Sequence, residues 1–215
     1  MALYFIGLGL NDEKDVSVKG LEIIKKSDFI YLENYTSKLN ISVEILEKYY
    51  GKKITPATRE NVEKSPDAIL NNAKTKTIAF LVAGDPFAAT THTDLYLRAR
   101  KLGIKCYVLH NASALTAIGA TGLQLYKFGK TTSIPFDNEN VESPYDVLKE
   151  NKSINAHTLF LLDLKPDENK FMTINDAIRY LLKVELRRNE KVFSEKSLCI
   201  GCVKLGSLDL EIKSG

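Results

Sequence analysis

Residues 83–92, "AGDPFAATTH", place one carboxylate, two threonine hydroxyls and a histidine directly after an apolar run, without a lysine or arginine. A glycine-led turn behind a strand is where α/β proteins put ligands, outside the carboxyl ends of their strands. Asp85 can accept hydrogen bonds from an ammonium group or from ribose hydroxyls, and Thr90 and Thr91 can complement it at a helix start. Such a set repels a polyphosphate and favours a nucleoside that is cationic overall. The same residues also suit an ordinary tight turn, with Gly84 in an unusual conformation, Pro86 fixing φ and the threonines capping the next helix. Both readings stand at this point.

Other chemistry is weaker. "GLGLND", after the first apolar run, supplies Gly7 and Gly9 but has Asp12 where a dinucleotide fingerprint needs its third glycine. "GLQLYKFGKTT" ends like a phosphate loop, yet six residues separate Gly122 from Gly129 where the motif has four. Cys199 and Cys202 have the spacing of a redox pair or half a zinc site, but they fall in an apolar run with no second pair, and Cys106 stands alone. They read as core thiols, so no metal is expected. His92, His110 and His157 each adjoin a strand end or helix start and have no local nucleophile beside them, so no catalytic residue is named. S-adenosylmethionine, with its sulfonium, amino group and ribose, is the kind of ligand the 83–92 stretch would suit. On that reading Asp85→Ala weakens ligand binding far more than folding.

These groups need elements to hold them. "LYFIGLG", "FIYLE", "KKIT", "TIAFLVAGD" and "KCYVLH" read as strands, separated by helices that begin near Ser17, Ile41, Asp67 and Thr93. Ser17 is the expected N-cap of its helix, and Gly103 the stop signal of the helix before "KCYVLH". That alternation argues for a mostly parallel sheet covered on both faces. The second half starts with the helix-like "SALTAIGATGLQLYKF". It continues through "TTSIPF", a helix around Tyr145 to Glu150, the strand "HTLFLLDL", a helix over Ile174 to Arg188, and the strand "SLCIGCVKLG". The fold class is α/β in two domains, residues 1–112 and 113–215.

The 215 residues carry a net charge of +3 and 44% hydrophobic residues, the balance of a globular protein. The densest basic run, "LLKVELRRNEK", is interleaved with glutamates, which argues against a nucleic-acid stripe. No apolar run approaches a membrane span. The start lacks a basic leader and the three cysteines need no oxidising compartment, so a cytoplasmic location is expected.

"LYFIGLGL", "YLENYTS", "AGDPFAATTHTDL", "LHNASALTAIGATGLQLYKFGKTTSIPF", "LFLLDLK" and "CVKLGS" together resemble the diphthine synthase family, of the tetrapyrrole-methylase-like class of methyltransferases. They run in order over nearly the whole chain, from Met1 to about Gly206. The resemblance implies two α/β domains with S-adenosylmethionine in the cleft between them, and a homodimer. It implies cofactor contacts at Leu10, Asp85, Ala88, Ser113, Ala114, Leu162 and Leu205; where Leu205 stands, family members often have alanine, so a backbone contact is expected there. It implies methyl transfer to a modified histidine of translation elongation factor 2, on a 3-amino-3-carboxypropyl group. Archaeal-type members trimethylate its amine and eukaryotic-type members also methylate the carboxylate; "HNASALTAIGATGLQLYKFGKTTSIPF" looks more like the latter. The family continues with a further helix and a "PGKLH"-like strand that this chain lacks. A relative acting on rRNA or a tetrapyrrole, or a non-catalytic form that binds the elongation factor, are the alternatives.

Overall fold

The computed structural model describes residues 1–33 and 35–215; Asn34, inside "YLENYTS", lies outside the described residues. The chain divides into two compact units. Residues 1–117 and 204–210 make the first, and residues 118–203 and 211–215 the second. The sequence placed the division after residue 112, within "HNAS" at the close of the strand "KCYVLH". In the structure those residues are held against the first unit, and a late segment returns to it.

In the first unit the strands are β1 (Ala2–Gly7), β2 (Phe29–Glu33), β3 (Thr55–Ala57), β4 (Thr77–Val82) and β5 (Cys106–Leu109). They are interleaved with α1 (Val18–Lys26), α2 (Val43–Tyr50), α3 (Asp67–Thr75) and α4 (Thr93–Lys101). All strands are parallel, in the order β3-β2-β4-β1-β5. Burial on both faces explains the near-continuous apolar sequences of the central β1 and β4. Ile6, Leu8, Ala79 and Leu81 pack against Ile24 of α1 and Leu46 and Tyr50 of α2. Their neighbours Leu3, Phe5, Ile78, Phe80 and Val82 face the other way, onto Ile69 and Leu70 of α3 and Leu95 and Ala99 of α4.

Local signals set the helix ends. The Ser17 hydroxyl accepts the Gly20 N–H at 3.0 Å, as an N-cap should. Gly103, at φ 74°, follows the last turn of α4, where a left-handed residue ends a helix without steric cost. The edge strand shares only Thr55 with "KKIT", running over Thr55–Ala57, and contains Pro56, which an edge strand tolerates. A single π-helical turn, Glu60–Lys64, follows it.

The first unit closes with α5 (Ala114–Ala117). The second begins with 3-10 turns at Ile118–Thr121 and Leu125–Lys127, so "SALTAIGATGLQLYKF" is not one helix. Gly122, at φ 84°, breaks the run. Parallel strands β6 (Thr132–Ile134) and β7 (Phe160–Leu162) follow on either side of α6 (Ser143–Ser153). A short antiparallel pair, β8 (Leu164–Lys165) and β9 (Lys170–Phe171), precedes α7 (Ile174–Arg188). The chain ends in a hairpin of β10 (Ile200–Val203) and β11 (Glu211–Ser214). Ile134, Tyr145, Tyr180, Leu181, Val184 and Phe193 form the core of this unit.

A carboxylate closes the far end of α7. Glu185 accepts the Tyr145 hydroxyl at 2.6 Å and the backbone N–H groups of Lys191, Val192 and Phe193 at 2.7, 2.8 and 2.9 Å. The Tyr145 hydrogen bond leads in lowering its pKa from 4.5 to about 2. At the other end Asp176, paired first with the Thr173 hydroxyl in a capping box, is likewise lowered to about 2. A carboxylate depressed by folding stabilises the native state fully above its unfolded value, and that contribution disappears as pH falls through the folded value. The melting temperature should therefore drop as pH falls from 4.5 to about 2. Glu185→Gln should melt lower at neutral pH and show a shallower acid dependence; equal slopes for the two proteins would contradict the clip.

Candidate functional site

The connection from β1 leads to β2 over the α1–α2 face, whereas that from β4 leads to β5 over the α3–α4 face. The loops after these adjacent strands therefore diverge, as at the switch point where open α/β sheets bind ligands. Here the two loops are bonded to each other. Gly9 and Gly84 pair in an isolated antiparallel bridge, with N···O distances of 3.3 and 2.6 Å, and both have positive φ. Only glycine adopts that conformation freely.

Asp85 follows this crossing. Its Oδ1 accepts the Phe87 N–H at 3.0 Å, which shapes the turn. Its Oδ2 accepts the Asn111 N–H at 3.1 Å and lies 2.7 Å from His110 Nδ1. The loop after β4 thus reaches over the end of β1 to the loop after β5. Asn111 completes the brace, donating through Nδ2 to the carbonyls of Gly7 at 2.9 Å and Asp15 at 3.0 Å. Asp15 in turn accepts the N–H groups of Leu10 at 3.1 Å and Asn11 at 2.8 Å. Three loops are cross-linked by two carboxylates and one amide.

The expected cofactor contacts on the first unit gather around this brace. Leu10 leaves the Gly9 crossing and meets Gly206, where an added Cβ would lie 2.5 Å from Leu10 Cβ; Leu205 immediately precedes that glycine. The Ala88 N–H closes the turn onto the Asp85 carbonyl at 3.3 Å. Buried Ser113 lies about 4 Å from where a Cβ on Gly84 would stand, and Ala114 opens α5 beside it. Leu162 belongs to the second unit, where it pairs with Ile134 at the end of β7.

The threonines differ from their expected use. Thr90 donates to the Pro86 carbonyl at 2.5 Å and Thr91 to the Glu63 carboxylate at 2.7 Å, and α4 has no side-chain cap. His92 is fully buried, with Nε2 3.5 Å from the buried Glu33 carboxylate, and lies edge-on to Tyr35 and Phe80. Glu33 holds its own loop through the N–H groups of Tyr35 and Thr36, at 2.7 and 2.5 Å. Burial, ahead of other causes, pushes the Tyr35 hydroxyl up to about 12, so it stays protonated at neutral pH. Cys106, Cys199 and Cys202 are free and partly buried, with thiols raised by burial. No group of metal-ligating side chains occurs among the described residues.

The pairing of His110 with Asp85 was not legible in the sequence. The residues are 25 positions apart, on strands separated by β1, and only the sheet order brings their loops together. Asn111 was missed for the same reason.

The model of the tetrapyrrole (corrin/porphyrin) methylases matches residues 2–194. A protein of Dictyostelium discoideum named diphthine methyl ester synthase is 48% identical, covering 100% of this chain and 86% of its own. The human protein of that name is 45% identical over 99% of this chain and 82% of its own. A crystal structure titled diphthine synthase superimposes with a TM-score of 0.92 at 38% identity, covering 100% of this chain and 81% of that one.

Proposed function

The chain belongs to the tetrapyrrole methylase family, and we propose that it is an S-adenosylmethionine-dependent methyltransferase of diphthamide biosynthesis, acting on the modified histidine of translation elongation factor 2. The observation that carries this reading is the identity of 45–48% to diphthine methyl ester synthases over 99–100% of the chain. Its fit to the cofactor rests on the donor set. Residues 8–15, 83–92 and 110–113 bring Asp12, Glu13, Asp15 and Asp85 against the single lysine Lys14, which suits a sulfonium and an amino group better than a triphosphate.

The residues proposed to hold the cofactor are Leu10, Asp85, Ala88, Ser113, Ala114 and Leu205, with Leu162 kept on the family resemblance alone. When bound, S-adenosylmethionine supplies an already activated methyl group and leaves as S-adenosylhomocysteine. The chain's own task is then to fix the direction of approach and exclude water, which effective-molarity measurements show to be a large part of a bimolecular barrier. The brace through Asp85, Asn111 and Asp15 serves that task by holding three loops in one arrangement before the ligand arrives. The acceptor we propose is the 3-amino-3-carboxypropyl group of the factor's histidine. A homodimer in the cytoplasm completes the reading; no helix of the described residues is long and apolar enough to cross a membrane.

Incubation with methyl-labelled S-adenosylmethionine and elongation factor 2 bearing the unmethylated intermediate should place label on the factor. Label on rRNA or on a porphyrin precursor instead, or binding of the factor without label, would overturn the proposal.

A further inference from the structure

His110 has the geometry of a base, although the family resemblance gave it no role. Its Nδ1 lies 2.7 Å from Asp85 Oδ2, and its side chain is 69% exposed while that of Asp85 is 12% exposed. An ionised carboxylate only accepts hydrogen bonds, so Nδ1 carries the proton of the neutral ring. The lone pair is then on Nε2, for which no hydrogen-bond partner is found among the described residues. A carboxylate orienting an imidazole, with the second nitrogen open, is the arrangement general bases use.

The bland alternative is that the ring merely helps to brace Asp85. That role is already filled, since the backbone N–H groups of Phe87 and Asn111 satisfy both carboxylate oxygens. A contact with so exposed a partner contributes little to stability.

We propose that His110, oriented by Asp85, is the general base that removes a proton from the acceptor amine. This deepens, and rests on, the reading of the site as a methyltransferase with an amino acceptor. An ammonium has no electron pair to offer. Its N–H bond breaks, the pair stays on nitrogen, and the proton forms the new bond to His110 Nε2. The nitrogen pair then forms the N–C bond as the S–C bond of the sulfonium breaks, leaving that pair on sulfur. The exposed imidazolium returns its proton to water. Methylation of the acceptor carboxylate, which is already ionised, needs no such step, so His110 acts on one half of the acceptor only.

The test compares wild type, His110→Ala and His110→Gln with elongation factor 2 bearing the unmethylated intermediate, counting N-methyl and O-methyl groups separately by mass spectrometry. Gln can still donate to Asp85 but is not a base. Both variants should still bind S-adenosylhomocysteine, and both should transfer methyl to the amine about 100-fold more slowly, within the usual range for a lost general base. On a factor whose amine is already fully methylated, carboxylate methylation should be slowed far less than amine methylation. Added imidazole should restore a large part of the amine rate to His110→Ala. Wild-type amine methylation in His110→Ala, rescue by His110→Gln, or no response to imidazole would each overturn the proposal. Failure of the wild type itself to label the factor would instead defeat the methyltransferase reading, and the proposal with it.

Discussion

Asp85→Ala should destabilise the first unit as well as lose most of its affinity for S-adenosylhomocysteine, which corrects the sequence expectation of a loss largely confined to binding, because Asp85 also braces the loops. Removing the carboxylate strands the N–H groups of Phe87 and Asn111 and frees the His110 ring. Each stranded donor in a largely buried setting costs about 1–3 kcal/mol, and hydrogen bonds to charged acceptors lie at the upper end. A loss of about 3 kcal/mol in unfolding free energy follows, together with release of the loop after β5 from the loop after β4. Binding should weaken by at least about tenfold, or about 1.4 kcal/mol. Asp85→Asn should do little better, because its amide can offer only one oxygen to three donors and would turn its NH₂ towards them. Thermal melts and calorimetric titration measure the two losses separately. Unchanged affinity in a folded Asp85→Ala protein would remove Asp85 from the site.

Gly7→Ala should be nearly as damaging, for a different reason. A Cβ on Gly7 would stand 2.6 Å from the Gly84 carbonyl oxygen and 2.8 Å from Asn111 Cβ. The first is backbone of the neighbouring loop and cannot rotate away, so the strand ends must separate. Overpacking of this kind costs about 1–3 kcal/mol. The displaced atoms belong to the brace, so ligand affinity should fall with stability. Gly51→Ala is the control: φ is +67° there, but nothing lies within 4 Å of the added Cβ. Its cost should be confined to backbone strain of about 1–2 kcal/mol, with ligand affinity unchanged. Equal effects of the two substitutions on affinity would mean that close approach at Gly7 does not shape the site.

The contrast between the two halves shows what the sequence could disclose. Strands buried on both faces announce themselves as apolar runs closed by glycine, so β1 and β4 were legible, as were the apolar run of β5, the Ser17 cap and the Ile174–Arg188 helix. "KKIT" misled because Pro56 argued against a strand, although an edge strand needs no N–H there. "SALTAIGATGLQLYKF" misled because its apolar spacing is helical while Gly122 requires positive φ. The candidate site was half legible. The glycine-led turn after β4 pointed to Asp85, and the absence of lysine and arginine there pointed away from phosphate. What Asp85 bonds could not be read, since His110 and Asn111 reach it only through the strand order. That order also gives the acidic turn a second duty, bracing the fold, which its local sequence does not reveal.

The central claim is that the three cross-linked loops at the carboxyl end of the first unit's sheet hold a sulfonium nucleoside. A crystal structure of the protein with S-adenosylhomocysteine tests it most directly. The ligand should touch the backbone at Leu10, Ala88 and Ser113, close to the Asp85 loop. Density for the ligand remote from these loops, or a crystal that takes ATP there in preference, would contradict the account.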